Sequence, residues 1–305
     1  MTVKSSYYQF FVKTSVKHGH LARNEVFPWD RNRRIIATLF LMLILVFSIQ
    51  PVLAQDEGKT TTSGILASNQ TWNGTVHVTG DIVVPQGITL VIQPGTIITF
   101  APNSSDNDVK LPVLDKLGTN KCNLIVKGNL RIEGEKDNKV IIGELFYDVN
   151  GQTTITWGGI IFEGINVNSI IKHSEIKYAD VAVVCADSST PRIINSTIAD
   201  NNVGIMIFDF SSPRIYGNKI HGNALWGVSS YDFSFPMISH NTVKGSQVGI
   251  GCEDSSFPVI YYNRFSDNSV GILIQDGSNP TRVGNIFSNS TKGIEIERSI
   301  RINEK

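Results

Sequence analysis

The 305 residues carry 27 basic and 27 acidic side chains, a formal net charge of zero. That balance argues against an electrostatic nucleic-acid binder. The length suits one or two globular domains, or a single solenoid.

Residues Met1–Arg34 are polar and basic, with Lys4, Lys13, Lys17, Arg23, Arg31, Arg33 and Arg34 set against Glu25 and Asp30. Ile35–Ile49 follows as an apolar run broken only by Thr38 and Ser48, and it exits through Val52 and Ala54. A basic region, an apolar core and small residues at the third and first positions before Gln55 read as an export signal over residues 1–54, cleaved after Ala54. The run is shorter than the about 20 apolar residues of a full span. Retention as a signal anchor, N-terminus inside, is the alternative. The protein is thus expected outside the cell or on its surface, touching a membrane only through an uncleaved anchor. Residues 55–73, opening with a Gly, Ser and Thr-rich stretch, read as a flexible linker. Asn-x-Ser/Thr triplets at Asn69, Asn73, Asn103, Asn195 and Asn289 agree with export.

From Thr75 to Phe100, Pro-Gln-Gly and Gln-Pro-Gly punctuate runs of four or five strand-forming residues. Ala101–Thr119 interrupts with an Asn, Asp and Ser-rich loop, and Asn123–Gly134 resumes the pattern. Beyond it the chain repeats itself. Pro191, Pro213, Pro236, Pro258 and Pro280 recur every 22 or 23 residues, and Gly204, Gly227, Gly249, Gly271 and Gly293 keep the same beat. Asn218, Asn241, Asn263 and Asn285 each sit five residues after a proline, with Ser196 in that place in the first repeat. Asp187, Asp209, Asp232, Asp254 and Asp276 each stand four residues before one. The register can be followed back to Ser169. So short a fixed period means stacked supersecondary units.

Within a period, apolar residues alternate over short runs between turns, and no helical stripe is sustained. The leucine columns of a leucine-rich repeat are missing. The expected architecture is all-β, a right-handed parallel β-helix of three-strand coils over residues 74–305. Val183, Ile205, Val228, Ile250, Ile272 and Ile294 form one inward column; Cys185, Ile207, Ser230, Cys252, Ile274 and Ile296 form another. The Asn column fits a turn in which each amide bonds its equivalent one coil away. Cys185 and Cys252 lie three coils apart, roughly 14 Å at the stacking rise and beyond disulfide reach. The three cysteines therefore read as small buried thiols. His173 and His240 are equally separated in their column, so they indicate no metal site.

Thr75–Phe100, Asn123–Gly134 and Trp157-Gly-Gly-Ile-Ile-Phe162 resemble the N-terminal coils, and the entry into regular coils, of exported right-handed β-helix proteins of the pectin-lyase-like superfamily. The resemblance covers about Gly74 to Glu297 and implies the fold; function has to be argued from a site. Enzymes of this superfamily that act on acidic polysaccharides carry recognisable strings: Asn-Thr-Asp, Asp-Asp and Gly-His-Gly in glycosidases, Asp-Pro-His-Asp in epimerases. The chain beyond the signal has none. A lyase base would be Arg or Lys beside clustered carboxylates, and Arg192 and Arg214, in adjacent coils, offer an imitation. A turn-stabilising ion pair with the Asp column is the competing explanation.

Stacked one coil apart, those aspartates would repel by roughly 3 kcal/mol per neighbouring pair at an effective dielectric near 20. Either each Asp closes an Asx-turn onto the N–H two residues on, or a calcium ladder bridges Asp209, Asp232 and Asp254. No other cofactor is expected. One outward column holds Phe208, Tyr231, Glu253 and Gln275, aromatic faces beside hydrogen-bonding groups. Such a row suits an extended sugar chain. Packing beneath Trp226 would explain the aromatics equally well. Together these features indicate a surface β-helix that binds a polysaccharide or surface glycan or serves as a scaffold without catalysis. A polysaccharide lyase of the pectin-lyase-like class is the alternative.

Overall fold

The computed structural model describes residues 59–101, 121–143, 146–147 and 153–297. The signal expected over residues 1–54 lies outside them. The described residues form a right-handed parallel β-helix of about nine turns, with no helix among them.

One coil shows how the repeat becomes structure. Val203–Ile207 runs along a first face, a turn at Phe208–Ser211 leads to Arg214–Tyr216 on a second face, and Gly217-Asn218 bends the chain into Lys219–His221 on a third. Trp226–Ser230 then lies directly over Val203–Ile207, in parallel register. The same stacking continues through Val248–Cys252, Val270–Ile274 and Lys292–Ile296. The N-terminal coils differ in one respect. Thr75–Val84 is a single ten-residue strand that rounds a corner, its start pairing with Ile97–Phe100 and its end with Leu124–Val126. It thereby joins the first and third faces into one 18-stranded sheet, while the second face is a separate nine-stranded sheet.

The core is built from the inward columns. Ile82, Leu124, Ile160, Val183, Ile205, Val228, Ile250 and Ile272 are all but fully buried in one line. Mostly β-branched side chains suit this pleated interior, and each stacks on its equivalent about 4.8 Å away. The glycine column follows from space. A Cβ at Gly249 would sit 2.5 Å from the Gly271 carbonyl oxygen and 2.9 Å from the Phe265 ring. The first and third faces meet there too closely for any side chain. Cys122, Cys185 and Cys252 are free and buried, as their columns demand.

Polar ladders tie the turns together. Asn218 donates its side-chain amide to Asn241 Oδ1 (3.0 Å), Asn241 to Asn263 (3.0 Å) and Asn263 to Asn285 (3.1 Å). Each Oδ1 also accepts the backbone N–H one coil below, as in Asn218 N to Asn241 Oδ1 at 2.8 Å. A second ladder runs through Asn201, Asn223 and Asn268, with Ser246 interrupting it. These amides satisfy backbone groups that a buried bend leaves unpaired.

The two ends of the described solenoid are unlike. Residues 55–73 were expected as a linker, but Lys59–Ile65 pairs along Thr75–Val83 and Gln70–Trp72 pairs with Leu90–Ile92. The run Thr60-Thr61-Thr62 is polar yet β-branched, and a terminal strand with one neighbour needs no apolar outer row. The last coil instead presents its inward residues, with Ile294 44% and Ile296 60% exposed.

Candidate functional site

The outward column read from the repeat exists. Tyr231 N donates to the Ile207 carbonyl (3.0 Å), Glu253 N to Ser230 (2.9 Å) and Gln275 N to Cys252 (2.9 Å), so Phe208, Tyr231, Glu253 and Gln275 stand one above another. Phe208 and Tyr231 stack, with ring centroids 5.0 Å apart. The expected exposure does not hold. Phe208 is only 1% exposed, because it packs with Val184, Ala186 and Val203 in a second apolar cluster outside the first face. Trp226 joins that cluster and lies over Gly251, where a Cβ would meet its ring at 2.0 Å. Phe208 is therefore a packing residue, and Tyr231, Glu253 and Gln275 are half-buried beside it.

Burial raises the Glu253 carboxyl above its ordinary pKa, and the nearby Asp276, Asp254 and Glu297 raise it further; a hydrogen bond from Gln275 partly offsets them. Its Oε1 is buried without a hydrogen-bond partner. A carboxyl with a folded pKa above its unfolded one contributes stability below the unfolded value, and that contribution is lost as pH rises through the folded one. Glu253→Gln removes the penalty on the charged form. The variant should melt about 2 °C higher than wild type at pH 7. Melting curves between pH 4 and 8 should show the gap closing toward acid. A constant gap would mean that Glu253 titrates normally.

At the Asp turn, Asp209 and Phe210 both adopt positive φ (49° and 58°), and Ser211 N donates to the Phe208 carbonyl (3.2 Å). Asp232–Phe233 and Asp254–Ser255 repeat this geometry. Aspartate recurs here because it tolerates the left-handed region better than most side chains. Its backbone also serves stacking, since Phe210 N donates to the Asp232 carbonyl one coil on (3.3 Å). Among the described residues no three His, Cys, Asp or Glu side chains converge as a metal group, and the row Asp209, Asp232, Asp254 is no exception. Arg192 and Arg214 align on the second face, exposed, and neither forms an ion pair with a described residue, so the expected Asp–Arg bridge is not made.

Two exposed aromatic features remain. Turn geometry projects Phe210 over Phe233 and Phe235 over Phe257, each pair stacked at 5.6 Å. All four rings are exposed, from 59% at Phe210 to 39% at Phe257. They form a track over three successive coils, beside the Asp column. The second feature lies at the bend between the second and third faces, where His240, Tyr261 and Tyr262 cluster with centroids 5.5–5.8 Å apart. A cavity of about 300 Å³ opens beside them, lined also by Thr242, Arg264 and Gly284. In the sequence Phe210 and Phe233 each follow an aspartate of the repeat, and Phe235 and Phe257 each precede a proline. His173, Asn195, Gly217, His240, Tyr262 and Gly284 share one register position at the bend, all at positive φ, and the His173–His240 column is the part of it that the repeat showed.

A family described as periplasmic copper-binding protein (NosD) matches residues 137–304, more than half of the chain. The chain belongs to the NosD family. The NosD match spans the regular coils, and with them the phenylalanine track and the cavity. No curated protein sequence matches the chain. Its coils are similar to the enzymatically active domain of bacteriophage CBA120 tailspike protein 2, at 12% identity and a TM-score of 0.44, over 79% of this chain and 42% of that one. They are also similar to a mutant of the periplasmic alginate epimerase AlgG, at 12% identity and a TM-score of 0.29, over 75% of each chain. The chain thus spans less than half of the tailspike domain's length. At these scores the two likenesses carry no functional argument.

Proposed function

We propose that this NosD-family β-helix is exported to the periplasm and binds an extended glycan along the track of Phe210, Phe233, Phe235 and Phe257, without catalysing a reaction on it. The observation that carries the reading is the pair of exposed ring stacks on successive coils. Exposed apolar rings repeating along a rigid axis suit the C–H groups of successive sugar units. Aspartates of the same turns supply hydrogen-bond acceptors for hydroxyls. The rigid ladder fixes the rings before binding, so little ordering cost opposes association.

The family description raises copper as a resident metal, and the described residues do not fit it. Cu(I) favours thiolate and thioether sulfur, but burial pushes the Cys122 thiol up to about 11 and those of Cys185 and Cys252 higher still, which keeps them protonated. Among the described residues the histidines do not gather with carboxylates into a three-ligand group.

Native affinity gels cast with a panel of soluble polysaccharides test the glycan reading. At least one polymer should retard the protein, and Phe233→Ala should weaken retention about tenfold, equivalent to about 1.4 kcal/mol. The melting temperature should stay within about 2 °C of wild type, as for an exposed side chain. A protein retarded by no polymer would overturn the proposal.

A further inference from the structure

The cavity at the bend exists because two columns change character in the same coil. The Tyr262 ring is followed one coil on by Gly284, where a Cβ would lie 2.5 Å from its ring carbons, so the ring leans over empty glycine. In the adjacent outward column Arg264 stands between Thr242 and Ile286, and no acidic residue flanks it in either neighbouring coil. Arg264 forms no ion pair with a described residue. The result is a recess of about 300 Å³ with a fixed aromatic wall, one unneutralised guanidinium and the Thr242 hydroxyl and His240 ring at its edge. Its volume equals that of about ten waters in the liquid, which accommodates one hexose unit.

We propose that this recess is a binding subsite for a single acidic hexose unit, a sugar ring bearing a carboxylate or a phosphate. The Tyr262 ring, braced by His240, offers its face to the sugar's C–H groups. Arg264 pairs with the anion, in the fork geometry that suits both carboxylate and phosphate. Thr242 and His240 reach ring hydroxyls. The inference rests on the reading of the protein as a glycan binder, and it adds which unit is recognised and where. This site lies at a different corner of the coil from the phenylalanine track, so the two can be tested separately.

Saturation-transfer NMR and calorimetry on the full protein, with glucuronate, glucose 6-phosphate and glucose as probes, decide the matter. Glucuronate or glucose 6-phosphate should bind at least tenfold more tightly than glucose, and the tighter of the two identifies the anion. Arg264→Gln should bring acidic and neutral sugars to equal affinity, whereas Tyr262→Ala should abolish binding of all three. Equal binding of glucose and the acids to wild type, no binding of any probe, or unchanged binding in both variants would overturn the proposal. Circular dichroism and the melting curve show whether each variant is folded; a misfolded Tyr262→Ala is replaced by Tyr262→Leu, which keeps the bulk and removes the ring. The affinity gels separate this failure from that of the glycan track. Polymer retention lost in Phe233→Ala, with no acidic sugar bound, removes the subsite alone. Acidic sugar bound by a protein that retains no polymer removes the track alone.

Discussion

Replacing Ile250 by aspartate should unfold the coils around it. Ile250 is fully buried between Val228 and Ile272 in the inward column. A carboxylate there has no partner, and burying an unpaired charge costs several kcal/mol, a large part of the about 5–15 kcal/mol that holds a domain. A solenoid distributes the damage locally, because each coil contacts only its neighbours. Hydrogen exchange should therefore show lost protection over Trp226–Ile274, with the N-terminal coils around Leu124 and Leu130 retained. Ile294→Asp, in the same column but 44% exposed in the last described coil, should cost less than about 1 kcal/mol. Equal melting of Ile250→Asp and wild type would place that column on the outside and shift the whole register by one residue.

That register could be read from the sequence because the solenoid writes its geometry into a fixed period. Inward and outward positions alternate, so one correctly placed column places all the others. What covers an outward position is a different matter. Phe208 and Glu253 hold equivalent places, yet Phe208 is buried within an apolar cluster and Glu253 is half-buried among carboxylates. Val83, Ile125 and Ile161 join that cluster from coils where the repeat is irregular or absent, and no periodic signal marks them. The polar strand Lys59–Ile65 escaped for a related reason. Thr60–Ile65 are exposed or half-buried and none enters the core, so the apolar alternation that reveals inner strands is missing there. The cavity beside Tyr262 depends on the substitutions that break columns, Gly284 after a tyrosine and Ile286 after an arginine, whereas pattern reading rewards the residues that keep them.

The polar ladder gives the second large effect. Asn241→Ala would leave the buried backbone N–H and side-chain amide of Asn218 without their acceptor, and the Ile215 carbonyl without its donor at 3.0 Å. Each orphaned buried group costs about 1–3 kcal/mol, less whatever a water entering the vacated space restores. A loss of about 3 kcal/mol is expected, read as a lower urea midpoint at unchanged slope. Ser196→Asn is the matching control. Ser196 heads the ladder, accepting from Ser174 N (3.1 Å) and donating its N–H to Asn218 Oδ1 (2.9 Å). An amide there would accept the same N–H and extend the ladder by one coil, so its stability should stay within about 0.5 kcal/mol of wild type. The contrast isolates the ladder from asparagine content as such. Should Asn241→Ala cost under about 1 kcal/mol, the bend is solvated, and the coils are held by their apolar columns alone.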